Sequence, residues 1–211
     1  TSSSTSFSHG SRFDINSGGA VYDALGRMTS DDSTTYGWDA ASRLVSSDTS
    51  SSNRTYTYDG SGMLLGSIQS SGTLTYTWNY AFPLPSMSVM GDGDGNLRYF
   101  AYAPDGSLYF SIDQNGSHWF YHYDETGNVL FLTDDNGDVI GGYQYDPYGE
   151  SIAATAPQSN PFRYGGKHGI IYTDGLYFMR SRFYHPQIAR FLSPDPARAE
   201  DPIRVSLYQY A

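Results

Sequence analysis

The chain has 211 residues, no cysteine and a formal net charge of −10. These values exclude disulfides, thiolate metal sites and cysteine catalysis, and they argue against a general nucleic-acid binder, which presents a basic surface. No run of about 18 apolar residues is present, so no segment reads as a membrane-spanning helix.

Tyrosine (20) and glycine (23) dominate, while charged residues make up only 16% of the chain. Aromatic and β-branched residues mixed with Gly, Asn and Asp predict an all-β fold. The chain starts at Thr1 without Met or a signal-peptide pattern and reads as a piece of a longer protein. Residues 1–20 hold "TSSSTS" and "NSGG", with Phe13 and Ile15 as their anchors. They are expected to form a weakly ordered lead-in or one edge strand.

Residues 21–158 read as a repeat. Aromatic–Asp pairs stand at Tyr22-Asp23 with Gly26, Trp38-Asp39 with Ser42, Tyr58-Asp59 with Gly62, Tyr123-Asp124 with Gly127, and Tyr145-Asp146 with Gly149. Trp78-Asn79 and Tyr102-Ala103 hold the two intermediate places, and the spacing is 16 to 24 residues. Turn glycines at Gly95, Gly106, Gly116, Gly127, Gly137 and Gly149 fall 10 to 12 residues apart. Strand formers fill the intervals, so the pattern predicts an antiparallel β-hairpin meander. In each unit Tyr ends a strand, Asp starts the turn and Gly takes the left-handed position that closes it. An Arg or an aliphatic residue often follows, as in "GRM", "SRL" and "GNV".

Residues 159–211 differ in charge. They carry 7 basic and 4 acidic residues, against 5 basic and 18 acidic in residues 1–158. Such asymmetry marks two modules or two parts that attract each other. Arg163, Arg180, Arg182 and Arg190 lie among aromatics here. Interleaved Arg and aromatics also suit nucleic-acid bases and phosphates. In an acidic chain the favoured reading is structural: these residues stack on rings, pair with carboxylates and pack this segment on the concave face of the repeats.

Together these motifs resemble the YD repeat of bacterial rearrangement-hotspot (Rhs) proteins, of the C components of insecticidal toxin complexes, and of teneurins. "YDPYGE" (145–150), "NPFRYGGK" (160–167), "DGLYFMRSRFYHPQIARFLSPDP" (174–196) and "LYQYA" (207–211) resemble the Rhs-associated core segment in the same order. His185 departs from the family's usual Asp, and Ala189 from its usual Gly. The resemblance implies an arc of a hollow YD-repeat β-shell with a C-terminal core segment that plugs it. It implies a secreted or cell-surface bacterial protein that encloses or presents a toxin-like polypeptide. The implied partners are the rest of the parent shell and that polypeptide. An extracellular adhesion or glycan-binding module is the alternative, and part of an aspartate-dependent self-cleaving region is the third reading.

Few residues suggest chemistry. Asp195, in "SPDP", reads as a turn residue, with a remnant self-cleavage aspartate as the rarer reading. The Asp146-Pro147-Tyr148-Gly149 stretch reads as a repeat turn. "DGDGN" (92–96) and "DDNGD" (134–138) resemble calcium loops, but Leu97 and Ala103 stand where the loop from Asp92 needs Gly and Glu. His118 and His122 on one strand face would lie about 13 Å apart, too far to share a metal. No metal or cofactor is expected.

Overall fold

The computed structural model describes residues 19–70, 72–196 and 208. The lead-in expected over 1–20 therefore lies almost wholly outside the described residues. Fourteen strands follow one another in a single antiparallel sheet whose spatial order is the chain order. They are β1 (Val21–Tyr22), β2 (Met28–Ser30), β3 (Thr34–Trp38), β4 (Leu44–Thr49), β5 (Asn53–Tyr58), β6 (Leu64–Gln69) and β7 (Gly72–Asn79). Next come β8 (Ser86–Asp92), β9 (Leu97–Tyr102), β10 (Leu108–Asp113), β11 (His118–Tyr123), β12 (Val129–Thr133), β13 (Val139–Tyr145) and β14 (Ser151–Ala154). The all-β hairpin meander read from the turn spacing is the observed fold.

Local sequence explains the strands. In β5 the alternating "NRTYTY" buries Arg54 and Tyr56 on one face and leaves Asn53, Thr55 and Thr57 exposed on the other. In β7, Tyr76 and Trp78 face the same way. Register shifts recur at the aromatic end of the hairpins, as between Thr57 and Tyr58, Thr77 and Trp78, and Gln144 and Tyr145. A type I turn with a left-handed glycine produces such a bulge and adds local twist.

A second antiparallel sheet holds β15 (Ile171–Thr173), β16 (Leu176–Met179), β17 (Arg182–His185) and β18 (Arg190–Phe191), again in chain order. It lies against the buried face of the large sheet. Phe183 packs on Tyr56 at a ring distance of 5.0 Å, Phe178 meets Tyr58 and Trp78, and Phe162 meets Phe100 at 5.0 Å. Burying each such side chain stabilises the fold by about 1.5–3 kcal/mol. The outer face of the small sheet buries Tyr177, Tyr184 and Phe191 in a second cluster with Ile170.

Both ends of the large sheet reach this small one. The Met28 amide donates to the Leu192 carbonyl at 2.8 Å, while the Tyr184 hydroxyl donates to the Tyr148 carbonyl at 2.9 Å. Strands β2 and β13 would stand about 50 Å apart in a flat sheet at about 4.8 Å per strand. The large sheet therefore curls around the segment from Asn160 to Leu192, which fills its concave side.

Candidate functional site

The repeat turns share one geometry. Asp23 Oδ1 accepts the amides of Leu25 and Arg27, and the Gly26 amide donates to the Asp23 carbonyl. Asp59, Asp124 and Asp146 accept the amides two and four residues on in the same way. Gly26, Gly62, Gly127 and Gly149 all have φ between 79° and 91°. Ser42 occupies the equivalent place with φ of 61°, a conformation that strains an L residue.

The aromatic of each unit couples it to the one before. Tyr58, Tyr102, Tyr123 and Tyr145 donate their hydroxyls to the carbonyls of Leu44, Met87, Leu108 and Val129 at 2.5 to 3.0 Å. The indoles of Trp38 and Trp78 do the same to Met28 and Leu64 at 2.7 and 2.6 Å. The accepting residues open or nearly open the strand after the preceding turn, and their side chains are buried. The aliphatic residue after each turn thus anchors the core and offers its carbonyl to the next unit. Burial raises the pKa of Tyr58, Tyr102, Tyr123 and Tyr145, keeping the phenols protonated donors. The Arg that follows some turns adds a further link. Arg27 holds Asp23 at 2.6 Å, reaches the Asp39 carbonyl and lies over Trp38; Arg43 repeats this with Asp39, Asp59 and Tyr58.

In the enclosed segment the four arginines have different surroundings. Arg163, 8% exposed, stacks on Tyr172 at 3.8 Å and donates to the Gln158 carbonyl. Arg190, also 8% exposed, donates to the Tyr22 hydroxyl and faces the Tyr208 ring. Arg182 pairs with Asp195 at 2.9 Å and stacks on Phe191 at 3.6 Å. Arg180 has φ of 60° and donates to the His168 carbonyl at 2.6 Å.

Sequence reasoning missed Arg54. Its guanidinium, 5% exposed, bonds Thr173 at 2.6 Å, Gln69, and the Asp174 carboxylate at 3.3 Å. It thereby fixes the turn between β15 and β16 to the wall. The available signal was its parity: Arg54 is in phase with Tyr56, so it shares the buried face. His185 is mostly buried, with Nε2 at 3.8 Å from the Asp31 carboxylate. Burial lowers its pKa, against the opposing pull of Asp31 and Glu150.

The calcium-like stretches are turns in which the carboxylates bond their own loops. Asp92 accepts from Asp94 and Asn96, and Asp134 from Asn136 and Asp138. His118 faces Asp135 at 2.6 Å, and His122 bonds Thr133 at 3.0 Å. Among the described residues no three His, Cys, Asp or Glu side chains cluster as a metal site, and no helix is long and apolar enough to cross a membrane.

A hairpin wall cross-tied by its aromatics and curled around a plug is the architecture of a YD-repeat shell. The chain belongs to the Teneurin YD-shell family, whose model matches residues 79–211. It is 32% identical over 204 residues to the tRNA3(Ser)-specific nuclease WapA of Bacillus spizizenii, covering 93% of this chain and 9% of that protein. A shorter match, 32% over 81 residues, links 36% of the chain to 6% of the double-stranded DNA deaminase toxin A of Burkholderia cenocepacia. The crystal structure of TcdB2-TccC3 has the same fold, with a TM-score of 0.67 at 20% identity over 89% of this chain and 10% of that one. The chain spans about a tenth of the length of these large relatives or less.

Proposed function

We propose that this chain is a wall-and-plug section of a larger YD-repeat shell whose task is to enclose or present a polypeptide of the parent protein, in a secreted or cell-surface setting. The observation that carries this reading is the capture of one segment by both ends of the sheet, through Met28 with Leu192 and Tyr148 with Tyr184. A wall that closes on its own chain is suited to separating an interior from solvent. Relatives named as a nuclease and a deaminase toxin, of which this chain matches only a small part, support a toxin as the enclosed polypeptide. The chain's role is then mechanical, and Asp195 acts as the partner of Arg182.

Limited proteolysis of the parent protein tests this. Sequence outside the shell region should resist protease while the wall is folded and become cleavable when the Phe178–Tyr58 contact is broken by Phe178→Ala. Equal cleavage in both states would overturn enclosure. Replacing Asp195 by Asn should leave the parent's fragment pattern unchanged, whereas loss of a fragment would favour self-cleavage.

A second reading, glycan or cell-surface adhesion, is favoured by one feature. Tyr109, 59% exposed, forms a ring cluster with Phe110 and Phe120 on the outer face of β10 and β11, and His118 stacks beside it. Saturable binding on a glycan array that is lost in Tyr109→Ala would support it.

A further inference from the structure

Two of the aromatic–Asp turns lack their aspartate. Asn79 and Ala103 stand at those places, and the two turns are consecutive. They border one cleft of about 280 Å³ on the rim of the wall. The loop after β7 supplies Phe82, Pro83 and Leu84 to it, and the enclosed segment supplies Lys167, His168 and Arg180.

The charge in this cleft is unusual for the molecule. Lys167 is the only lysine in the chain. Arg27, Arg43, Arg54, Arg98 and Arg182 each have a carboxylate within ion-pair distance. Among the described residues Arg163, Lys167, Arg180 and Arg190 have none; Arg163 and Arg190 are buried against the Tyr172 and Tyr208 rings, whereas Lys167 and Arg180 line this cleft. Arg180 uses one donor on the His168 carbonyl, and its buried Nε has no acceptor. The one carboxylate lining the cleft, Asp105, accepts the hydroxyl and amide of Ser107, and Lys167 acts on it through space without reaching ion-pair distance. Two cations without a paired carboxylate thus face an apolar wall in which Leu84 is 58% exposed.

We propose that this cleft binds an acidic peptide segment, with a carboxylate seated between Lys167 and Arg180 and a neighbouring apolar side chain against Phe82, Pro83 and Leu84. Charge complementarity selects the partner: the repeats are strongly acidic and repel such a segment along the rest of the rim, leaving this cleft as the attractive place. The missing aspartates at 79 and 103 keep it so. A free phosphate satisfies the cations but leaves the apolar wall uncovered. The site lies on the rim and does not depend on enclosure of a polypeptide.

Fluorescence anisotropy with a labelled pentapeptide alternating aspartate and leucine, titrated with the 211-residue chain, tests the proposal. Saturable binding that weakens with added salt is expected. Lys167→Gln should weaken it about two- to fivefold. Ala103→Asp, which restores the repeat carboxylate, should weaken it similarly. A peptide with lysine in place of aspartate should not bind. Circular dichroism melting checks that both variants stay folded; if Lys167→Gln does not, Ala103→Asp carries the test. Absence of saturable binding, or binding unchanged in the folded variants, would overturn the proposal. So would competition in which inorganic phosphate binds through Lys167 while the peptide does not, since that defines a simple anion site.

Discussion

The Tyr123 hydroxyl sits 2.6 Å from the Leu108 carbonyl, one full hairpin unit back along the chain. Leu108 is 1% exposed, so this carbonyl lies in the core region. Tyr123→Phe keeps the ring and removes the donor, leaving a buried acceptor unpaired. The expected cost is about 1–3 kcal/mol, read as a lowered midpoint in urea with an unchanged slope. An unchanged midpoint would show that water or another donor replaces the hydroxyl.

The left-handed turn positions should respond differently to the same change. At Gly137 (φ 83°) an added Cβ meets nothing within 4 Å, so Gly137→Ala should cost about 1 kcal/mol from backbone strain. At Gly127 (φ 90°) the Cβ would lie 2.6 Å from His168 Nε2 and 3.2 Å from Lys167 Cβ, so Gly127→Ala should cost more. Ser42→Gly runs the opposite way and should stabilise the protein by up to about 1 kcal/mol, because it relieves a non-glycine residue at φ 61°. Thermal melting of the three variants ranks them; equal melting for the two Ala variants would remove His168 contact as a factor.

Removing Arg54 should be far more damaging than removing Arg43. Arg54→Ala leaves the buried Thr173 hydroxyl and the half-buried Gln69 without their shared partner and frees the exposed Asp174, at an expected cost of about 1–3 kcal/mol plus the packing of the buried side chain. Arg43, 35% exposed in its side chain, pairs with Asp39 near the surface, and its ion pair contributes about 0–1 kcal/mol. Chemical denaturation of both variants separates the cases. Similar losses would mean that the buried arginine is not the tie between wall and plug.

Acid should weaken the fold in two separate windows. Burial holds the folded-state pKa of His185 below its ordinary value. The unfolded chain then binds more protons, so stability falls as pH drops from about 6.5 toward the folded pKa. The turn carboxylates act lower. The Tyr80 hydroxyl, then the donors on Ser61 and Met63, hold Asp59 down to about 2. The Asn96 side chain and amide lower Asp92, and the Ser117 amide leads in lowering Asp113. Their contribution is complete above about pH 4–5 and is lost as pH falls toward about 2. His185→Gln should remove the upper loss and leave the lower one; melting temperature across pH 2–8 reads both, in roughly half-unit steps. Retention of the upper loss in that variant would assign it elsewhere.

The meander was legible because turn chemistry is local. Asp, Gly and the spacing between them specify a hairpin without knowledge of its neighbours. The small sheet was not legible as strands. In "LYFM" both Tyr177 and Phe178 are buried, one in each core cluster, so the alternation that marks a half-exposed strand is absent. The aromatic of each unit was readable as the end of a strand, but its acceptor 10 to 16 residues back was not. That bond depends on how far one hairpin overlaps the next, which the bulges set. Arg54 was readable only through its parity with Tyr56, and Lys167 was silent, because a single charged residue in a loop carries no pattern and only the packed structure shows what it faces.

Each repeat aromatic that donates a cross-unit bond reaches backward in the sequence, from Trp38 to Met28 through Tyr145 to Val129. A ribosome delivers the chain in that same direction. Every newly emerged unit therefore meets an acceptor that is already exposed, and the wall can lengthen hairpin by hairpin without waiting for distant sequence. The plug, whose contacts include Met28 near the start of the wall and Tyr148 near its end, arrives after the strands it must touch. Synthesis order and bond direction together make the wall a structure built vectorially, with closure as its late step.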